Sequence, residues 1–247
     1  MNQYNDNNYN NYPGEPYGNW QGHSAQSLDA KISAVMKKVY VKMFLALLVT
    51  AFTSLFCASS PAVMQLYMQH PWLIWGAFIA ELVLVFAISG GINRLSSSTA
   101  TLLFYIFAIV NGLALFPIFY VYTSVSIAKT FFITAGTFGA MSVYGYLTNQ
   151  DLAKWGSILF MALIGLIICA VVNIFWANST FDWIISGLGV LIFVGLIAYD
   201  TQQVKKMAAI APGEAVSKLA TVGALSLSLD FINLVLSLLR FFGNRND

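Results

Sequence analysis

The run ALSLSLDFINLVLSLLRFFG, residues 224–243, is apolar enough to cross a bilayer, which takes about 20 such residues, yet it carries a carboxylate near its middle. It belongs to a longer span, Ala220–Phe242, in which Gly223, Ser226, Asp230, Asn233, Ser237 and Arg240 recur at spacings of three and four. That spacing places them on one helical face, opposite Leu, Ile, Val and Phe. A carboxylate at the bilayer centre costs at least a few kcal/mol unless it is paired, protonated or hydrated, so the stripe must face other helices or water. The segment is therefore expected at the centre of a bundle. Polar contact between helices, with no role in transport, is the plainer explanation of the same stripe.

Composition extends this reading to the whole chain. Of 247 residues, 58% are hydrophobic and only 9% charged, and the mean hydropathy of +0.72 lies far from the soluble average. Twelve Lys and Arg against ten Asp and Glu suggest neither nucleic acid nor an acidic protein surface as a partner. Cys57 and Cys169 each sit in an apolar run without metal-ligand spacing and read as small buried residues. Residues 1–30, rich in Asn, Tyr, Gln and Gly, read as a disordered tail ahead of a transmembrane domain over 31–247. The tail lacks the pattern of a secretory signal, which leaves the first span as the insertion signal.

Seven apolar runs follow: Met43–Ser59, Trp72–Ser89, Thr101–Val121, Thr130–Leu147, Gly156–Phe175, Trp183–Gln203 and Ala220–Phe242. The expected fold is an all-α membrane protein of seven transmembrane helices with the seventh central. Trp72, Trp75, Trp155, Trp176 and Trp183 collect near span ends, as interfacial belts do. With the N-terminus inside, nine basic residues are cytoplasmic: Lys31, Lys37, Lys38, Lys42, Arg94, Lys154, Lys205, Lys206 and Lys218. Only Lys129, Arg240 and Arg245 lie opposite. The charge rule favours this orientation and makes the Ser60–Pro71 loop external, but a last segment that dips in and returns satisfies it too. Gly136 and Ala140 on the fourth span, and Gly165, Cys169 and Asn173 on the fifth, read as packing positions.

Two further acids fall within spans. Glu81 lies midway along the second, and Asp200 near the inner end of the sixth, in GLIAYDTQQV. The short 204–219 connection favours the sixth and seventh spans as antiparallel neighbours, which can bring Asp200 and Asp230 within hydrogen-bonding distance. Two carboxylates in one low-dielectric site cannot both ionise cheaply, so such a pair holds a proton between them and titrates as a unit.

Several motifs together resemble the Bax-inhibitor, or transmembrane Bax inhibitor motif, family, YccA-like members included. They are Ala198-Tyr199-Asp200-Thr201-Gln202, Leu225-Ser226-Leu227-Ser228-Leu229-Asp230-Phe231-Ile232-Asn233-Leu234, and Asn111-Gly112-Leu113 ahead of Leu115-Phe116-Pro117-Ile118. The run Leu238-Leu239-Arg240-Phe241-Phe242-Gly243 is similar to prokaryotic members, which implies the inner membrane of a prokaryotic cell. The resemblance implies a calcium leak governed by a proton-sensing pair of aspartates, positions that Asp200 and Asp230 match. On this view calcium is the transported ion, bound transiently at that pair and backed by Asn233 and Ser226 in the pathway. No permanent cofactor, nucleic acid or protein partner is implied beyond calcium, protons and the bilayer. The family pattern also places a carboxylate in the second span, matched by Glu81, and in some members an Arg that latches the pathway. Arg94 is the candidate, although it falls later than that pattern puts it.

Three other classes of membrane protein make demands that this sequence meets to different degrees. Intramembrane aspartyl proteases use a Tyr-Asp pair that Tyr199-Asp200 fits, but their second aspartate follows Gly-x-Gly, where this chain has Leu227-Ser228-Leu229. A retinal-type receptor needs a Lys in the last span, and none follows Lys218. A non-conducting membrane interaction protein is the third.

Overall fold

The computed structural model describes residues 19–212 and 215–246. Over these the chain forms nine helices: α1 Asn19–Ser59, α2 Pro61–Gln69, α3 Trp72–Gly91, α4 Ser97–Leu115, α5 Ile118–Val121, α6 Ser124–Leu147, α7 Ala153–Trp176, α8 Ser179–Ile210 and α9 Ala215–Phe242. Proline sets much of this punctuation, since it lacks a donor and clashes with the preceding turn. Pro61, Pro71, Pro117 and Pro212 all fall at helix boundaries. Ser96, Thr123 and Asn178 cap α4, α6 and α8 by accepting from the backbone N–H of Thr99, Ser126 and Phe181.

The helices follow the apolar runs but outgrow them where helix-forming residues continue. α8 runs on through Gln202–Ile210 until Pro212, and α1 takes in the polar stretch before Met43. The tail expected over residues 1–30 lies outside the described residues as far as residue 18, and α1 begins at Asn19, after Pro13 and Pro16. The third predicted span is kinked, with α4 and α5 meeting at Phe116-Pro117.

Among the described residues, six helices are long and apolar enough to cross a membrane, in place of the seven expected, with α4 and α5 counted as one crossing. The predicted span Thr130–Leu147 lies in α6, where Lys129, Thr130, Thr134, Thr137, Ser142, Tyr144 and Tyr146 dilute the apolar residues. The chain is an all-α multi-pass integral membrane protein.

Its surface is inverted relative to a water-soluble bundle. Phe52, Phe86, Phe132 and Phe175 point outward, while Thr50, Asn111, Thr134, Thr201, Gln202 and Asp230 are buried. α9 is the most enclosed helix, with 67% of its apolar window buried against 0% for α7. It packs against α8, α1, α6, α4 and α3, whereas α7 packs mainly on α8. Phe231 of α9 sits between Phe131 and Phe138 of α6, ring centroids 5.7 and 5.6 Å away.

α9 is unbroken over 28 residues, so the last segment does not dip and return. It ends beside the α5–α6 junction, where Thr123 donates its N–H to Asn244 and Asn246 donates to Val121. Tyr122 and Arg245 form an isolated antiparallel bridge there. At the other end, the basic one, Lys42 donates to Thr101 and Thr221, Lys31 to the Ala209 carbonyl, and Ser97 to Ser217.

Glycine contacts differ from expectation. Gly136 and Ala140 are exposed and a Cβ on Gly136 would meet nothing within 4 Å. The same holds for Gly165, and Cys169 and Asn173 beside it are only half-buried. Gly136 and Ala140 face outward because the middle of α6 has no further helix on that side. The close helix approach of α6 is made by Gly145, where a Cβ would overlap the Ala198 backbone of α8. Cys57 is buried and both cysteines are free.

Candidate functional site

A cleft of about 850 Å³ lies between α3, α7, α8 and α9. The polar stripe read from the sequence lines it: Ser226, Asp230, Asn233, Ser237 and Arg240 all face it, joined by Asp200 from α8. Gly223 stands outside the cleft and admits Val204 of α8, whose methyl lies 2.8 Å from where its Cβ would be.

Antiparallel packing of α8 and α9 brings Asp200 level with Ser226. Asp200 lies ten residues before the end of α8 at Ile210, and Ser226 eleven residues after the start of α9 at Ala215. The Ser226 hydroxyl donates to Oδ2 of Asp200 at 2.5 Å. Asp230, one turn further along α9, lines the same cleft as Asp200. Asp230 is only 6% exposed, and its Oδ2 has no partner among the described residues. At the basic end the cleft narrows where Gly156 of α7 packs so tightly on the Tyr199 ring that a Cβ would overlap it. Gln203 donates to the Tyr199 hydroxyl at 2.9 Å.

The remaining predicted residues lie apart. Glu81 does not line the cleft; its Oε1 accepts from Asn111 Nδ2 of α4 at 2.6 Å. Asn111 Oδ1 and Ser54 Oγ are buried without partners among the described residues. Arg94 is exposed in the turn after α3, and no salt bridge joins it to Asp200 or Asp230. Asn111 was quoted from the sequence only as part of a motif. Its signal was present, since an amide amid an apolar run is as much out of place as an acid.

Among the described residues no three His, Cys, Asp or Glu side chains cluster as a metal site. Two carboxylates with hydroxyl, amide and water oxygens suit a hard cation held weakly.

Such a bundle, with an enclosed helix whose polar stripe lines a cleft, defines a multi-pass membrane protein. The family described as Inhibitor of apoptosis-promoting Bax1 matches residues 32–247, and the chain belongs to this Bax inhibitor family. It is 46% identical to the inner membrane protein YbhL of Escherichia coli K12 over 224 residues, covering 87% of this chain and 94% of that one. It is 42% identical to an uncharacterised protein of Borreliella burgdorferi, covering 86% and 92%. With the membrane protein SpyM3_0260 of Streptococcus pyogenes it shares 35%, covering 89% and 96%.

Proposed function

We propose that this protein is a pH-sensitive leak pathway for calcium, gated by Asp200 and Asp230. The observation that carries the reading is that both carboxylates line one cleft, one oxygen of Asp230 being buried and unpartnered among the described residues. A proton shared by the pair makes a short charge-assisted bond between α8 and α9 and holds the path closed. Loss of that proton replaces the bond with repulsion, which only water or a cation relieves. Calcium accepts several oxygens in flexible geometry, so the ionised pair with Asn233 and Ser226 hosts it briefly and releases it. The carboxylates exchange protons and cations and perform no covalent chemistry.

The same reading takes α6 as a seventh crossing around a central α9. Its 24 residues extend about 36 Å, more than the ~30 Å hydrocarbon. The basic end is then cytoplasmic, and the E. coli relative's name, an inner membrane protein, supports the same membrane for this chain.

Calcium flux from liposomes holding purified protein, measured across pH, tests the proposal. Flux should rise with pH; Asp200→Asn and Asp230→Asn should each remove most of that response, and the double variant should add little. Full pH response in both single variants would sink the dyad, and absence of flux altogether would favour a non-conducting role.

A further inference from the structure

The cleft meets a second, smaller pocket at one side chain, Arg240, which lines both. The smaller pocket, about 400 Å³, includes Asn173, Asn178, Ser179, Asp182 and Arg245. Asp182 is matched there by Arg245 at 3.8 Å. Arg240 is left exposed, with no hydrogen bond or ion pair among the described residues. The side-chain oxygens of Asn173 and Asn178 already accept from the backbone N–H of Asn178 and Phe181, at 3.2 and 3.0 Å. What these two amides still offer is donors. A spare guanidinium beside spare amide N–H groups is complementary to an anion, and to a phosphate above all.

The cleft that leads away from this pocket has the opposite chemistry on its outer walls. Leu82 and Phe86 of α3 face Phe160, Leu163 and Ile167 of α7. Because α7 packs mainly on α8 and buries none of its apolar window, the cleft is flanked by surface that belongs to the bilayer. Ten residues of α9 separate Arg240 from Asp230, about 15 Å of helix, which is half of a ~30 Å hydrocarbon core. An acyl chain anchored at Arg240 therefore ends at the depth of the aspartates.

We propose that one anionic glycerophospholipid occupies this composite site, its phosphate on Arg240 and an acyl chain in the cleft. The chain covers Asn233 and Asp230 and excludes water from the pair. Its role as a plug that hydration displaces rests on the calcium reading above; its binding does not.

Native mass spectrometry of the full chain in detergent, titrated with phosphatidylglycerol, phosphatidylcholine or inorganic phosphate, tests the binding. One phosphatidylglycerol should be retained in preference to phosphatidylcholine, and Arg240→Gln should weaken retention by about tenfold. Ala170→Phe, which fills the cleft from α7 and leaves Arg240 in place, should also lose the lipid. Equal retention by the wild type and both variants, equal retention of the two lipids, or ready displacement by inorganic phosphate would each overturn the proposal. Retention is read without any ion flux, so its failure and that of the calcium reading are separate results.

Discussion

Ser226 of α9 donates its hydroxyl to Asp200 of α8 at 2.5 Å, one turn from Asp230 on the same face. This bond satisfies one oxygen of Asp200, while Oδ2 of Asp230 has no partner among the described residues. Ser226→Ala removes the donor, which in membrane bundles costs about 0.6–1.7 kcal/mol. Thermal unfolding in detergent should fall accordingly and the pH profile of calcium flux should shift. Ser228→Ala serves as control, since Ser228 donates only to the Ala224 carbonyl of its own helix, and its profile should be unchanged.

Asn111 and Glu81 form a separate polar contact between α4 and α3. Asn111→Ala leaves a half-buried carboxylate without its partner, at a cost of about 1–3 kcal/mol read by thermal unfolding. Glu81→Gln keeps a hydrogen-bonding side chain of the same size, so folding should survive, and calcium flux drops if Glu81, which stands outside the cleft, feeds the ion path. Unchanged flux would make Glu81 a packing residue.

Two glycines of one helix should respond in opposite ways. Gly145→Ala places a methyl against the Ala198 backbone two residues from Asp200, and overpacking of this kind costs about 1–3 kcal/mol. Gly136→Ala meets open space and removes backbone entropy, so a gain of about 0.5–1 kcal/mol is expected. Paired melting curves of the two variants decide it.

Outside the spans, Lys206 donates to Asp151 and the Ala153 N–H adds a second bond, which together hold the Asp151 carboxyl below the usual range. The folded value lies below the unfolded one, so the small stabilisation is present above about pH 4 and is lost as pH falls through the lowered value. NMR titration of Asp151 should show this, and Lys206→Met should return it towards the ordinary value.

Gln65 is exposed on α2, between the first and second apolar runs. In a background with Cys57→Ser and Cys169→Ser, Gln65→Cys should react with an impermeant thiol reagent in intact cells. Reaction only after permeabilisation would reverse the orientation.

The stripe on α9 was legible because a polar face in an apolar helix has few places to go, and five of its members line the cleft. The meeting of Asp200 with Ser226 followed less directly, since it depends on how far α8 runs past Gln203, and helical propensity beyond an apolar run says little about where a helix stops. Pro212 decides that. Glycine contacts were not legible, because Gly136 and Gly145 sit on different faces of α6 and only tertiary packing shows which face has a neighbour. The weak apolarity of α6 has the same origin, since Thr130, Thr134 and Ser142 are buried against other helices rather than shown to lipid.

The C-terminal hydrogen bonds to the α5–α6 junction give the bundle an unequal mechanics. With its far end tied at Thr123 and Val121 and five helices packed along its length, α9 is the most braced element of the bundle. α7, held mainly along one side by α8, is among the least braced. A protein fused after Asn246 would load the braced element, whereas a probe on the outer face of α7 would sit on a lightly held one.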